Sequence, residues 1–398
     1  MEILTPAGDW SMLKAAVKAG CDAVYFGIRG LNMRAAAHNF ELKEVKKIVS
    51  FCHQHKVKAY CTINVIIYEK ELELVKKILQ TLKQAQIDAV ICWDFAVIDL
   101  CEKLKLPIHL STQASLSNSQ AIITLKNKFK QIERVILARE CSLEDIKEIK
   151  QKTKLEIEIF VHGARCISYS GRCFMSQELF NKSANRGECL QPCRREYKVI
   201  DEENKEMIMD NNFVMSAKDL CALPLLPKII ELNIDCLKIE GRNRGADYVY
   251  TVVSAYREAL EAIKKHQFNE QLINKLTEKL KTVYNKDFST GFLIDYPHHQ
   301  RTNVYGSKST TEKVILGKVS NFYNKNKVAE FKIESGSFQI GDKLAFIGPT
   351  TGYIETIVNE IHTDKGKIKA AKKGAIVSVK VPEKVRENDK VYLVKERK

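Results

Sequence analysis

Cys166, Cys173, Cys189 and Cys193 follow one another as C-x6-C-x15-C-x3-C. In a reducing compartment, thiols gathered this closely serve as metal ligands or redox groups rather than as disulfides. Zinc usually takes its cysteines as two tight pairs, two to four residues apart. Only Cys189 with Cys193 has that spacing. A wide, irregular set suits an iron–sulfur cluster, whose ligand positions are spread further apart. Arg165, Arg172, Arg186, Arg194 and Arg195 flank the thiols, and cationic neighbours favour thiolates. Zinc and free, redox-active thiols stand as the alternatives, and Cys221 is a fifth candidate ligand. Cys21, Cys52, Cys61, Cys92, Cys101 and Cys236 sit in apolar runs and read as small buried hydrophobes.

Other side chains acquire meaning from the elements that must hold them. Over the first 265 residues, short runs rich in β-branched residues alternate with helical stretches carrying apolar residues at i, i+3 and i+4. The extended runs (EILT, DAVYFGI, VKAYCTINVII, DAVICW, PIHLST, RVILAR, LEIEIFV and DCLKIEG) are apolar on both faces, as parallel strands covered by helices are. Eight such units predict a TIM-like (β/α)8 barrel, and no G-x-G-x-x-G follows the first strand to support a dinucleotide fold. The cysteines fall in an insertion after strand seven, about residues 163–215, which also holds a candidate hairpin, EYKVIDEENKEMIMDNNF.

Function in such a barrel sits at the C-terminal ends of the strands. Those positions carry Tyr25, Asn64, Asp94, Ser111 with Gln113, Arg139 with Glu140, His162 with Gly163, and Lys238 with Glu240 and Arg242. Arg139, Lys238 and Arg242 together would form an anion-binding mouth. His162 and Glu240 are the candidates for proton transfer, Arg139 and Arg242 for carboxylate binding, Gln113 and Lys238 for holding a cofactor or co-substrate. His53 and His55 read as surface histidines, and His298 and His299 lie in a linker without an evident partner. There is no H-E-x-x-H, no G-x-S-x-G and no P-loop, which removes the commoner hydrolase and nucleotide-binding classes.

The barrel is expected to span 1–300, a linker 301–310, and a small all-β barrel 311–398, read from short extended runs separated by turns such as SGSFQIGD. Residues 311–398 carry 18 basic and 11 acidic side chains, and the whole chain has a net charge of +15. That balance suits a polyanionic partner, a nucleic acid or an anionic substrate. The sequence opens on no signal peptide and contains no membrane-length apolar run, so a cytoplasmic, membrane-free protein is expected.

The stretch EIEIFVHGARCISYSGRCFMS resembles the signature of the collagenase-like peptidase family U (number thirty-two). ANRGECLQPCRREY is similar to that family's second block, SAKDL with CLKIEGR to its third, and LTPAGDWSMLKAAVKAGCDAVYFG to its start. The resemblance covers roughly residues 1–265. Beyond residue 311 the chain is similar to a β-barrel often appended to these proteins. The family's better-understood branches imply oxygen-independent hydroxylation with a 4Fe-4S cluster on four cysteines, here Cys166, Cys173, Cys189 and Cys193. In some relatives a cysteine at the position of Cys221 is used instead. The chain resembles most the branch that converts the wobble uridine of tRNA to 5-hydroxyuridine, for which prephenate is the implied hydroxyl source. That resemblance implies tRNA, a small anionic metabolite and an electron donor or paralogous subunit as partners. The rival readings are a peptidase of unassigned catalytic type and a non-enzymatic RNA-binding protein with a structural metal site.

Overall fold

A computed structural model describes residues 1–35, 37–207, 211–296 and 300–397; His298 and His299 lie outside the described residues. Seven strands come first: β1 (Glu2–Ala7), β2 (Ala23–Gly27), β3 (Lys58–Ile63), β4 (Ala89–Cys92), β5 (Ile108–Leu110), β6 (Ile132–Ile136) and β7 (Glu156–Gly163). Each pairs in parallel with the next. The insertion adds the small hairpin β8 (Val199–Ile200) and β9 (Glu206–Met207) and then β10 (Asp219–Cys221). The eighth barrel strand is β11 (Cys236–Ile239), parallel to both β7 and β1, and it closes the barrel. β10 runs antiparallel to the far end of β7, and β12 (Phe288–Ser289) pairs with β10.

Helices α1 (Trp10–Lys18), α2 (Val45–Gln54), α3 (Leu72–Gln84), α4 (Phe95–Leu104), α5 (Ser119–Lys128) and α6 (Leu143–Lys152) cover the first six strands. Short α7 (Met175–Phe180) belongs to the insertion; α8 (Leu226–Glu231), α9 (Ala246–Lys264) and α10 (Glu270–Lys281) complete the helices of the described residues. The starts are encoded locally. Asp9 accepts from the Met12 amide at 2.8 Å, and Ser142 with Asp145 forms a reciprocal capping box, each cap worth about 1 kcal/mol. The main core lies between strands and helices, with Phe26, Ile48, Leu79, Val97 and Tyr256 fully enclosed. A separate interior cluster of Leu4, Tyr25, Tyr60, Ile91 and Ile136 fills the barrel.

The bottom of the barrel holds a buried charge network. Arg134 bridges Glu2 at 2.6 Å, Glu156 at 2.6 Å and Glu158 at 3.3 Å, and the fully buried Glu158 also holds Lys238 at 2.6 Å. A charge this deep persists only when paired.

From Thr311 onward an eight-stranded antiparallel sheet curls around Phe331, Phe346, Val377 and Val391. It is docked on the barrel: Tyr353 stacks near Tyr250 of α9, Lys18 donates to the Tyr353 carbonyl, and Lys313 pairs with Asp247 at 2.7 Å. A Cβ on Gly352 would sit 2.9 Å from the Ala15 backbone nitrogen of α1, so this close approach requires glycine. The expected linker is tied down as well. Thr302 donates to Ser216, Lys308 to Asn285 and Thr310 to Lys281 through their backbone amides. No helix among the described residues is long and apolar enough to cross a membrane.

Candidate active site

The insertion is strapped across the C-terminal mouth of the barrel. Glu140, just past β6, accepts from the Ser170 amide at 2.9 Å and its hydroxyl at 3.3 Å. Arg172 donates to Ser115 beyond β5 at 2.9 Å. Arg186 grips Glu71 beyond β3 with both guanidinium ends, at 2.5 and 3.0 Å, and also reaches the Ile66 carbonyl. Gly187 has φ +85 and lies against the loop after β2; its carbonyl accepts from the Ala35 amide at 3.0 Å, and a Cβ there would stand 2.4 Å from the Asn32 oxygen. Strain and clash both oppose any side chain at this point. Arg194 is buried and donates to the Arg165 carbonyl at 2.6 Å and to the Ala217 carbonyl.

Strapped in this way, the insertion brings Cys166, Cys173, Cys189 and Cys193 to the wall of a single cavity. Cys221 is not part of that wall. It is buried on β10, with the Tyr256 hydroxyl 4.0 Å from its sulfur, and burial pushes its thiol up to about 11. Cys21, Cys52, Cys61, Cys92, Cys101 and Cys236 are buried, as expected of packing residues.

Among the described residues, no three His, Cys, Asp or Glu side chains gather tightly enough to hold a single ion, which would draw every sulfur to about 2.3 Å from one point. Four thiols spaced around a shared cavity fit a group that carries its own sulfur and spreads its ligand positions. The Met175 amide donates to Cys173 Sγ and the Gln191 amide to Cys189 Sγ, each at 3.4 Å. N–H···S bonds of this kind are one means by which a protein tunes a cluster bound through those sulfurs. Burial and the neighbouring thiols raise Cys189 and, up to about 11, Cys193; a cationic metal centre removes that mutual repulsion. Of the five flanking arginines, Arg165 and Arg194 face the cavity. Arg186 is turned to Glu71 and Tyr68, Arg172 to Ser115 and Trp93, and Arg195 lies over Phe180. Strapping the lid, rather than charging the thiols, occupies them.

The floor of the same cavity is the barrel mouth, where Arg34, Gln113, Arg139 and Glu240 face both the thiols and the barrel interior. Glu240 is buried and bound by Arg34 through Nη2 at 2.7 Å and Nε at 3.1 Å. Burial raises its pKa, but Arg34, Arg244 and Arg139 outweigh that and hold it below the usual carboxylate range. It is therefore an acceptor at neutral pH. Arg139 stacks 4.2 Å from the centre of the Phe160 ring, and its Nε is buried with no partner. Burial and the like charge of Arg34 both lower its pKa. Arg242 donates through Nη1 to Asn32 Oδ1 at 3.0 Å and Thr62 Oγ1 at 2.9 Å, and burial lowers it to about 10. Gln113 Oε1 accepts from Ser111 and, at 3.4 Å, from Asn64 Nδ2, which orients its amide.

Three sequence candidates find other work. Lys238 reaches the mouth with its charge already matched by Glu158, so it contributes no free cation. Asp94 caps α4 and accepts from the Ile67 amide. His162 lies behind the Glu240 wall, packed against Tyr248, Tyr256 and Phe288, with the Tyr256 hydroxyl 3.4 Å from Nδ1. It lines neither the cavity of the thiols nor the polar mouth, but a neighbouring, mainly apolar pocket whose wall also includes Arg139, Arg165 and Glu240. Burial lowers its pKa to about 3. Arg34 and Asn32 escaped the sequence reading. Both follow β2 in the loop RGLNMR, and extending the strand-end rule a few residues into each loop would have reached them.

The His162 environment makes a testable demand. Its folded pKa lies below its unfolded value, so the unfolded chain binds the proton first and stability falls as pH drops below about 6.5. Between pH 6.5 and 5 the loss is about 2 kcal/mol. Urea unfolding at pH 7 and pH 5 should show that extra acid loss in the wild type and not in a His162→Phe chain. Equal losses in the two chains would mean that His162 keeps its charged form in the folded state.

Comparison with known proteins places this geometry. Over 404 residues the chain is 39% identical to a protein named collagenase from Porphyromonas gingivalis, covering 98% of this chain and 97% of that one. It is 35% identical to tRNA hydroxylation protein P1 of Bacillus subtilis, over 96% of this chain and 92% of the relative. It is also 35% identical to the 23S rRNA 5-hydroxycytidine synthase of Escherichia coli, over 66% of this chain and 40% of that protein. The model of Peptidase family U32 matches residues 8–303. A match over most of the barrel and its cysteine insertion means that the chain belongs to peptidase family U32.

Proposed function

We propose that this protein is an RNA-hydroxylating enzyme, and more specifically that it converts the wobble uridine of tRNA to 5-hydroxyuridine in the cytoplasm. One observation carries the reading: four cysteines of the lid share a single cavity with Arg34, Arg139 and Glu240 of the barrel mouth. Relatives named for tRNA hydroxylation and rRNA hydroxycytidine synthesis support it. Cys166, Cys173, Cys189 and Cys193 would hold a 4Fe-4S cluster, which would supply one-electron chemistry. The reaction turns C5–H into C5–OH, so one oxygen atom and two electrons must be exchanged with a co-substrate. Prephenate, a hydroxylated dicarboxylate, is the proposed donor.

The chain's own residues then have definite tasks. Arg139 and Arg242 bind the carboxylates of the anion, since a guanidinium fork matches a carboxylate. Gln113 offers an oriented amide to the same ligand, and the Lys238–Glu158 pair fixes the floor beneath it. Glu240, held as a carboxylate, can accept the proton that leaves the base, with Arg34 as its counter-charge. His162 is withdrawn from the proton-transfer role because it is buried and neutral outside the chamber.

A peptidase reading draws support from the relatives named collagenase. Against it, the described residues gather no three donors for a hydrolytic ion, and no nucleophile is paired to a free histidine at the mouth. Anaerobic purification with iron and sulfide analysis, together with nucleoside mass spectrometry on a deletion strain, tests the proposal. About four iron and four sulfide per chain, lost in Cys166→Ala, and disappearance of 5-hydroxyuridine-derived nucleosides are expected. Unchanged nucleosides, with peptide cleavage by the purified protein, would favour the peptidase instead.

A further inference from the structure

The outer face of the lid carries large aromatic side chains turned to solvent. Phe174 is 69% exposed and Tyr169 51% exposed, although both flank cavity-wall cysteines within a few residues. Neither ring has an aromatic or cationic stacking partner among the described residues, whereas most other aromatic rings near the mouth do: Tyr68 carries Arg186, Trp93 carries Arg172 and Phe180 carries Arg195. The lid is also basic, with seven Lys and Arg against three Glu between residues 164 and 198. Arg172 and Arg195 are exposed as well.

We infer that this face is a stacking platform for unpaired nucleotides, with Tyr169 and Phe174 taking the bases that flank the target and the lid arginines following the phosphates. Rings without a stacking partner beside an excess of cations suit a single strand bound without sequence readout, because every base has a face to stack and every phosphate a charge. Ile167, Leu179 and Leu190 are exposed on the same segment, and it is the seven cations against three carboxylates that favour a polyanion over a protein here. The lid's outer aromatics and its inner thiols lie on one short segment, so a strand stacked outside brings its neighbouring base to the cavity edge. A duplex cannot use the platform, since its bases are already stacked. This inference rests on the RNA-hydroxylation reading for the identity of the strand, but not for its chemistry.

Anisotropy titrations of the full-length, cluster-loaded protein test it. The probes are a fluorescein-labelled oligouridine and an RNA duplex of equal phosphate number. Phe174→Ala and Tyr169→Ala should each weaken oligouridine binding about fivefold or more, with Phe174→Trp restoring it and the duplex affinity unchanged. Leu74→Ala, an exposed change on α3, serves as the control for surface perturbation. Alanine variants that bind oligouridine as the wild type does would overturn the platform. So would variants that leave RNA binding intact but lose a co-purifying protein. If binding weakens as expected while the deletion strain keeps all hydroxylated nucleosides, the platform stands and the hydroxylation reading fails. The converse result, with nucleosides lost on deletion and fully restored by Phe174→Ala at wild-type affinity, removes the platform alone.

Discussion

An Arg139→Met chain is expected to fold at least as stably as the wild type and to lose hydroxylated-nucleoside formation by roughly a hundredfold. The two halves of this expectation have the same cause. Arg139 is held over Phe160 with Arg34 nearby, its Nε is buried without an acceptor, and among the described residues no carboxylate lies within ion-pair distance of it. A buried donor without a partner costs about 1–3 kcal/mol, and Met keeps the volume while removing that cost. The same guanidinium is the best-placed empty donor for an incoming carboxylate, and truncating one member of a buried charged pair typically costs about 2–5 kcal/mol of binding. Arg139→Lys keeps the charge but not the fork and should fall between. The checks are a urea midpoint, the iron content of the purified protein and nucleoside mass spectrometry on the complemented deletion strain. A less stable chain with normal nucleosides would make Arg139 a structural residue.

Glu158→Leu should destabilise the protein by about 3–5 kcal/mol. Glu158 is fully buried and answers Arg134 and Lys238 together; Arg134 keeps Glu2 and Glu156, so removal of Glu158 strands Lys238 inside the barrel. A second change, Lys238→Met, should recover part of the loss because it removes the stranded charge, and the pair should therefore be non-additive. Urea unfolding of the two single variants and the double variant measures this. Additive losses would mean that Lys238 draws its stability from elsewhere. The experiment also bears on the proposed function: with Glu158 present, Lys238 is neutralised, and the proposed anion-binding mouth would rest on Arg139 and Arg242.

The barrel was legible because each of its cues is local. Strand runs apolar on both faces, the i, i+3, i+4 helix pattern and the caps at Asp9 and Ser142 are all set within a few residues, and eight units in series leave few ways to close. The small C-terminal sheet was legible for the same reason, through short runs divided by glycine turns. The four cysteines could be read from spacing and type. That Cys221 stands apart from them could not, because nothing in SAKDLC says that β10 turns back antiparallel along β7 and buries its thiol against Tyr256.

What the amino-acid sequence determined by itself was therefore the order of the elements, the place of the insertion after β7 and the set of side chains available at the strand ends. Partnership was decided only by the tertiary structure. Lys238 and Arg139 look alike as strand-end cations, yet one is paired from across the barrel by Glu158 and the other is left with an open donor. His162 and Glu240 looked like equal proton carriers, but β7 buries the imidazole among Tyr248, Tyr256 and Phe288 while β11 leaves the carboxylate facing three arginines. Arg34 reaches Glu240 across 206 residues of sequence. Charge state depends on burial and on neighbours brought from afar, and both are properties of the closed barrel rather than of any segment of it.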